Sequence, residues 1–585
     1  MAETIISPGV FTRENDISFI QPAAVEAGAA FVGPSVKGPV EIPTVVTSYG
    51  EYVRKFGETF ESGSTKREYL TSVAVKSYFQ QGGNTALVTR VVSGSSNWTA
   101  ASNTTLTAGD AGAVPFTFET LGKGEIFNSS TGAADAGLHN SDSSLSSGSV
   151  DNLRYEISNI SNAKGTFTLQ VRRGDDNLKN KIVLETFNNL SLDPNADNFI
   201  SKAIGDQAVT KATDSSGNIY LDYDGTYPNK SNFIRVASVG RETLNYLGTD
   251  GITVNTDSAG ASYSGSLPVA QSGSFHSAVG SNVQSDALFF SSISGSGTDV
   301  QGLETSDYTD AITLLENKDE FLFNVITAPG ITQQRNSTTV SALVSLAETR
   351  GDAIAVVDLV GYGDTVANAT SEATEINSSY AASYWPWVQV GSATGRNEFV
   401  PASTVIPGVY AFTDGASAPW FAPAGLVRGG IPNVIQAERK LTKADRDNLY
   451  DGNVNPIATF PGQGIAVFGQ KTLQKKSSAL DRVNVRRLLI ELKKFFGDQA
   501  RNLVFEQNTI ATRNRFLSIV NPYLESVVQQ QGLYSFRVVM DDTNNTNDVI
   551  DRNQLVGQVF IQPAKTAEFI VLDFTVEPTG ATFNA

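Results

Sequence analysis

The 585-residue sequence contains no cysteine, and this absence removes several kinds of chemistry together. Disulfides, thiolate nucleophiles and Cys-based zinc or iron–sulfur sites all require cysteine sulfur. Histidine is nearly absent as well, because only His139 and His276 occur, and both lie in a stretch rich in serine and glycine. Histidines in loops of this kind are usually solvated. We therefore predict no catalytic residues, no metal site and no cofactor.

Positive charge and long apolar runs are also scarce. The 43 Lys and Arg residues stand against 60 Asp and Glu residues, which gives a formal net charge of −17. Binding to nucleic acid needs a cationic surface that neutralises phosphates, so we expect no direct nucleic-acid partner. No apolar run approaches the ~20 residues that span a membrane, and the N-terminus shows no secretory signal. The sequence therefore predicts no membrane insertion.

The charge that is present is divided unevenly along the chain. Residues 97–300 carry 12 Lys and Arg against 21 Asp and Glu, whereas residues 436–520 carry 15 Lys and Arg against 8 Asp and Glu. This division suggests solvent around the acidic part and an acidic partner against the basic part. Solvated helix faces would explain the basic residues equally well, so both interpretations stay open.

The composition predicts an α/β domain that is interrupted by a β-rich insertion. A helical run over 68–79 is followed by an apolar strand at 86–92, as in α/β domains. Residues 93–300 are instead rich in Ser, Gly, Asn, Thr and Asp, with short alternating segments that favour β domains over a disordered linker. Helical patterns at 307–317 and 341–349 then resume the α/β pattern. We predict that one α/β domain is interrupted by an insertion of about 200 residues and continues after it.

The last part of the sequence has the longest helical patterns. Residues 486–496 place Leu488, Leu489, Leu492 and Phe496 on one apolar face, which we expect to be buried. A second run covers 510–530, where Pro522 should kink or restart the helix. Two strand-like segments follow, and they contain the residues Phe536, Val538, Met540, Val559 and Ile561.

The two ends of the chain have extended patterns. Residues 568–577 alternate between apolar and mixed positions, which is typical of a strand with one buried face. Residues 5–14 form an extended segment that Pro8 and Gly9 interrupt. Such ends can be ordinary edge strands, or arms that add to a sheet in a neighbouring subunit. The pattern leaves both interpretations open.

Three short segments resemble functional motifs, but each is better explained as a structural turn or connection. The segment 464–472 resembles a phosphate-binding loop, yet Gln470 separates the last glycine from Lys471, so strand, glycine turn and helix start are the better interpretation. The tripeptide 350–352, Arg-Gly-Asp, leads directly into an apolar strand and is interpreted as a turn. The acidic run 541–548 lacks the glycine and distal glutamate of a calcium loop, so we predict a hairpin connection.

Taken together, blocks of residues along the chain resemble the tail sheath proteins of contractile bacteriophages, of the T-even type. The resemblance covers roughly two-thirds of the chain and fades in 96–300. The N-terminal and middle blocks are Ser7-Pro8-Gly9-Val10, Phe31-Val32-Gly33-Pro34, Gly82-Gly83-Asn84, Tyr384-Trp385-Pro386-Trp387 and Gly408-Val409-Tyr410-Ala411. The C-terminal blocks are Asn455-Pro456-Ile457, Val485-Arg486-Arg487-Leu488, Val504-Phe505-Glu506-Gln507-Asn508 and Pro563-Ala564-Lys565-Thr566-Ala567-Glu568.

The resemblance implies an α+β multidomain fold. It would have an α/β sheath core, inserted outer β-rich domains, and a C-terminal α/β domain with extended N- and C-terminal arms. The expected boundaries are 1–24 for the N-terminal linking arm, 25–95 and 301–435 for the two parts of the core, 96–300 for the insertion, 436–567 for the inner domain, and 568–585 for the C-terminal strand and arm.

The resemblance also leads to candidate interface residues. The inter-subunit arm strands would use Ile5, Ile6, Val10, Phe11, Phe569, Ile570, Leu572, Phe574 and Val576. The acceptor strands would use Phe536, Val538, Met540, Val559 and Ile561. Basic residues that would face an inner tube are Arg482, Arg486, Arg487, Lys493 and Lys494.

The function implied by the resemblance is structural, without enzymatic activity. The subunit would polymerise as stacked hexameric rings around a tail tube and contract to drive the tube through a cell envelope. Its partners would be other copies of itself, the tube protein, and baseplate and tail terminator proteins. It would reside in the virion, after assembly in the host cytoplasm. A sheath of a phage-derived injection particle, or a non-contractile structural or adhesive protein, stays as an alternative.

Overall fold

The computed structural model describes residues 26–62, 65–103, 106–109, 114–127, 148–280 and 301–568. Its centre is an eight-stranded sheet built from both sides of the long Ser/Gly-rich segment. In order across the sheet, the strands are Gly464–Val467, Asn455–Phe460, Ala381–Trp385, Ile354–Val357, Val325–Thr327, Ala29–Gly33, Ala86–Arg90 and Thr44–Val46. The inner strands run parallel, and the outermost strand on each side pairs antiparallel.

Helices cover both faces of this sheet, which explains why its inner strands are apolar throughout. Ile354–Val357, for example, is buried at every position. One face packs on the helices Tyr49–Phe56, Leu70–Gln80 and Ile406–Ala416, and the other packs on Thr309–Leu314, Gln333–Arg350, Val366–Ala373 and Lys443–Asp451. A sheet buried on both faces needs such continuous apolar strands.

A second sheet of seven strands lies entirely within the Ser/Gly-rich part of the sequence. In order, its strands are Val183–Ser191, Thr166–Arg173, Leu153–Ser161, Gln271–His276, Ala100–Asn103, Phe116–Lys123 and Ile234–Val239. A separate hairpin of Ala208–Thr213 and Ile219–Asp224 packs against the α/β core through Leu221. The two ends of the segment meet, because the N–H of Thr99 donates to the carbonyl of Val279 at 3.0 Å.

Smaller sheets complete the described structure. Asn397–Val400, Val388–Gly391 and Val434–Ala437 form a three-stranded sheet, Thr59–Ser62 pairs with Thr65–Glu68, and Glu26–Ala27 pairs with Leu322–Phe323. The C-terminal part has two long helices, Val483–Arg501 and Ile510–Gln529, and the strands Leu533–Val539 and Gln558–Pro563 with the short helix Asn547–Asp551 between them. The predicted α+β multidomain fold is confirmed.

Several element boundaries differ from the sequence predictions. The helix expected from residue 68 begins at Leu70, because Glu68 belongs to a β-hairpin. Of the two effects expected of Pro522, a kink or a restart, the restart is wrong, since one helix continues through this residue. Pro522 and Ser518 are both exposed, so the carbonyl that loses its helical donor faces solvent.

Candidate functional site

The strands Leu533–Val539 and Gln558–Pro563 form an antiparallel hairpin sheet of only two strands. Four of the predicted acceptor residues face each other in register, with Phe536 opposite Ile561 and Val538 opposite Val559. The fifth, Met540, lies one residue beyond the strand and is buried. The predicted acceptor residues therefore lie together.

The apolar face of this hairpin sheet packs on the two long helices. Phe536, Val538, Val559 and Ile561 contact the cluster that contains Leu488, Leu492, Phe516, Val520, Leu524 and Val527. Arg537 and Phe560, which are opposite each other on the other face, are exposed. The helices thus support a small sheet that has one solvated face.

Both edges of the hairpin sheet are open in the described part of the chain, where neither strand pairs with a third. An open edge presents unpaired backbone N–H and C=O groups that can pair with an added strand. A two-stranded sheet is also marginal by itself, because most stable sheets have at least three strands. The geometry therefore suits the addition of strands at either edge.

The chain after the hairpin is anchored to the α/β core. Glu568, the last described residue, accepts hydrogen bonds from Arg482 Nε at 2.8 Å and Nη2 at 3.0 Å. Tyr450 and Gln470 also donate to its carboxylate, and Gln470 donates to Thr566 as well. These contacts lie in a cleft of about 1180 Å³ between the core and the hairpin. Residue 568 was expected to begin a strand, but it is an anchor outside any strand.

This anchor is electrostatically matched. Burial raises the pKa of Glu568, but the hydrogen bonds from Arg482, Tyr450 and Gln470 outweigh it and hold that pKa below its usual value. Burial lowers the pKa of Arg482, yet the bond to Glu568 leaves it raised. Each partner stabilises the charged form of the other. The predicted arm residues lie outside the described residues: Ile5, Ile6, Val10, Phe11, Phe569, Ile570, Leu572, Phe574 and Val576.

Two of the predicted tube-facing residues are buried inside the subunit. Arg486 stacks over the ring of Tyr380 with its guanidinium carbon 4.0 Å from the ring centre, and burial lowers its pKa. Arg487 donates to Asp414 at 2.7 Å and lies 4.7 Å from the ring centre of Tyr410. The first turns of the helix Val483–Arg501 are enclosed by the α/β core, and these arginines are therefore internal contacts instead of surface charges.

The other basic candidates lie nearer the surface. Lys493 is exposed and donates to the hydroxyl of Tyr380 at 2.9 Å, and Lys494 is half-buried. Arg482 is half-buried and bound to Glu568. Of the apolar set predicted to be buried on the same helix, Leu488 and Leu492 are buried, whereas Leu489 and Phe496 are half-buried.

The motifs that suggested chemistry have structural roles. Lys471 donates to the backbone carbonyl of Tyr450 at 2.6 Å, and the helix start expected beside it is wrong, because residues 471 and 472 are not helical. Arg350 is buried, donates to the carbonyls of Leu315 and Phe321, and pairs with Asp352. The Arg-Gly-Asp tripeptide is thus the turn that closes the helix Gln333–Arg350.

The connection 540–557 is held by an amide side chain. Asn545 is buried, and it both donates to the carbonyl of Val556 at 2.8 Å and accepts from its N–H at 2.9 Å. Within the described ranges, no group of three or more His, Cys, Asp or Glu side chains is arranged to hold a metal ion. Nor does any helix in those ranges have the length and apolar character needed to cross a membrane.

Sequence reasoning missed the partners of Glu568 and of the basic residues that were predicted to face a tube. Tyr380, Tyr410, Asp414, Tyr450 and Gln470 come from elements far away in sequence, and no local pattern marks them. Sequence reasoning also did not identify the loop between the two long helices as an exposed apolar surface, although two of its residues could have indicated it. Val504 and Phe505 stand directly before polar residues at the end of an amphipathic helix, where apolar residues have no buried face to join.

Family models match the second half of the chain. Residues 301–473 match the phage tail sheath protein central domain, and residues 475–577 match the phage tail sheath C-terminal domain. Residues 301–577 belong to the phage tail sheath family. The matched C-terminal domain contains both long helices, the hairpin sheet and Glu568.

Relatives of this family support the assignment. A tail sheath protein of Vibrio phage KVP40 is 44% identical over 188 residues, which are 32% of this chain and 28% of that protein. The tail sheath protein of Enterobacteria phage T4 is 34% identical over 291 residues, 46% of this chain and 44% of that protein. The matches thus span less than half the length of these relatives. A crystal structure of a sheath tail protein from Listeria innocua shares the fold, with a TM-score of 0.50, 10% identity, and coverage of 92% of this chain and 96% of that one.

Proposed function

We propose that this chain is a structural tail sheath subunit. It polymerises as stacked hexameric rings around an inner tail tube, and the sheath contracts to drive the tube through the host cell envelope. The subunit has no catalytic role. Its partners are other copies of itself, the tube protein, and the baseplate and tail terminator proteins. It assembles in the host cytoplasm and resides in the virion.

The observation that carries this proposal is the two-stranded hairpin sheet with two open edges. Strands donated by neighbouring subunits would complete it, with one strand from residues 1–24 and one from residues 569–585. Main-chain hydrogen bonds would supply affinity, and the alternating residues Ile570, Leu572, Phe574 and Val576 would fix the register by burying one face. Links of this kind let subunits move during contraction without separating.

The position of Glu568 sets where such an arm begins. Residues 564–568 are held on their own subunit through Thr566 and Glu568. The arm therefore starts at residue 569 instead of at the end of the hairpin. With Glu568 anchored in this way, the movement during contraction would be confined to the segment beyond it.

The proposed tube contact uses Lys493 and Lys494. Both are on the part of the helix Val483–Arg501 that extends beyond the buried first turns. Arg486 and Arg487 hold that helix in place from inside. Charge reversal at Lys493 and Lys494 should weaken assembly on tubes more at low salt than at high salt, because salt screens exposed charges.

The arm hypothesis is tested by truncation after Glu568, which removes the arm and keeps the anchoring contacts. We expect a folded protein that forms no tubes in negative-stain electron microscopy. Deletion of residues 1–16 should give the same result. A matched pair of full-length variants tests whether assembly depends on the sequence of the C-terminal arm and not only on its length. Leu572→Asp with Phe574→Asp should block assembly, whereas Asp573→Asn with Thr575→Ser should not.

If the truncated chain or the Leu572→Asp, Phe574→Asp variant formed tubes as the unaltered chain does, strand donation would not be the link between subunits. Circular dichroism and the thermal unfolding midpoint of each variant should match those of the unaltered protein. Loss of assembly together with loss of fold would instead count against the anchor at Glu568 as the boundary of the arm.

A further inference from the structure

The loop between the two long helices carries an apolar knob. Phe505 is 103% exposed and Val504 is 60% exposed, so in the described structure the ring of Phe505 is fully in solvent and Val504 is largely so. Phe505 also has a φ of 70°, in the left-handed region that non-glycine residues seldom adopt and that is unusual for a bulky side chain. Neither the exposure of this aromatic ring nor the unfavourable backbone conformation stabilises the folded subunit. Such outliers point to a role in binding.

A groove of about 780 Å³ lies on another part of the molecule, at the α/β core. Its walls include Phe412, Val427 and Ile435, all large apolar residues that are exposed. They come from the helix Ile406–Ala416, the helix Gly425–Arg428 and the strand Val434–Ala437. Exposed apolar residues that line one concavity are typical of a binding surface.

The knob and the groove are both apolar, and they carry opposite charges. Lys440 is the one charged residue among those that line the groove in the described structure, and it is exposed. Glu506 is the one charged residue of the loop 502–509, and it is exposed next to Phe505. An apolar side chain with an acid beside it thus matches an apolar groove with a base at its rim.

We propose that the Phe505 knob of one subunit inserts into the Phe412, Val427 and Ile435 groove of a second copy of this chain, with Glu506 opposite Lys440. This contact rests on the proposed function and adds a second type of link to it. Knob and groove are different surfaces, so the contact is heterologous. Repeated head to tail, it generates a ring or an open helix instead of a closed two-fold dimer.

The contact predicts a specific loss of assembly in Phe505→Asn. Asparagine tolerates the left-handed conformation better than phenylalanine, and the replaced ring is exposed, so the fold should be unaffected. The protein concentration at which half of the chains sediment should rise at least about tenfold, because a buried phenylalanine ring is lost. Ile252→Asn is the matched control, because Ile252 is 82% exposed and lies in the inserted β part. This variant should assemble normally.

Charge exchange tests the pairing of knob and groove. Glu506→Lys and Lys440→Glu should each weaken assembly, and the double variant should restore it, an outcome that a general effect of charge cannot produce. Because the chain has no cysteine, Phe505→Cys with Ile435→Cys should also give disulfides between subunits under mild oxidation. Peptide mass spectrometry of an equimolar mixture of light and heavy chains identifies them as intermolecular.

The outcomes separate this contact from the sheath function itself. If the unaltered chain forms tubes and Phe505→Asn forms them at the same concentration, the contact is wrong and the proposed function stands. If the unaltered chain forms no assembly at all, both are wrong. Cross-links from Ile435→Cys to a cysteine placed in residues 1–25 or 569–585 of the same chain would assign the groove to the chain's own ends and would overturn the contact.

Discussion

The buried arginines of the helix Val483–Arg501 predict a large difference between two basic residues that lie six positions apart. Arg487 is 5% exposed and pairs with Asp414, whereas Lys493 is exposed. Replacing each with methionine keeps a flexible, unbranched apolar stem and removes the charge. We expect Arg487→Met to destabilise the core and Lys493→Met to leave stability almost unchanged.

The magnitude follows from the contacts of Arg487. Removing one partner of a fully buried ion pair costs roughly 3–5 kcal/mol, because the other charge is left without compensation. The side chain of Asp414 is 31% exposed, so water recovers part of that cost. The lost contact with Tyr410 adds about 0.5–1 kcal/mol. We expect a loss of about 2–3 kcal/mol for Arg487→Met and less than about 0.5 kcal/mol for Lys493→Met.

Urea denaturation followed by tryptophan fluorescence measures this difference, because Trp385 and Trp387 are buried in the core. The midpoint should fall clearly for Arg487→Met at both low and high salt, since a buried contact is poorly screened. Equal midpoints for the two variants would refute the conclusion that Arg487 is an internal contact. A defect of Arg487→Met that appeared only in binding to tubes would do the same.

Three further outcomes follow from the structure. Burial raises the pKa of Asp358 to about 6, so the folded chain binds more protons than the unfolded chain between about pH 4 and 6. The contribution of this group to the free energy of unfolding therefore falls as pH rises through that range. Asp358→Asn should remove this dependence on pH from the urea midpoints. The lowered pKa of Glu568 means that its contacts contribute full stability above about pH 4.5 and lose it as pH falls through the folded-state pKa. Glu568→Gln should increase hydrogen exchange of residues 564–568 at pH 7, and the difference from the unaltered chain should shrink as pH is lowered. A Gly/Ser linker in place of residues 100–278 should leave a folded α/β core by circular dichroism, since Thr99 and Val279 are hydrogen-bonded; an aggregated product would contradict this.

Patterns along the sequence predicted the layers of the fold well. The apolar strand expected directly after the Arg-Gly-Asp tripeptide corresponds to Ile354–Val357, near the middle of a sheet covered on both faces. The interruption of the α/β pattern corresponds to a separate seven-stranded sheet. Both depend on short-range periodicity, because the number of faces that a strand buries determines which of its positions are apolar.

The errors have one physical cause. A local sequence pattern does not determine whether a charged residue is buried or a segment forms a strand, because contacts with residues distant in sequence determine both. The helical period predicted that Leu488 and Leu492 are buried, but it could not reveal that Tyr410 and Asp414 enclose Arg487 from the other side. Glu568 fitted a strand pattern, yet Arg482 holds it outside any strand. Amphipathic patterns describe one helix or strand at a time, and a charged residue is buried only where a distant partner compensates it.

A cryo-electron microscopy reconstruction of tubes formed by the purified full-length chain tests the central claim most directly. We predict that the sheet of Leu533–Val539 and Gln558–Pro563 has a third and a fourth strand in the assembled state, each traced to the N- or C-terminal segment of a neighbouring subunit. A tube in which this sheet keeps only its own two strands would contradict the account.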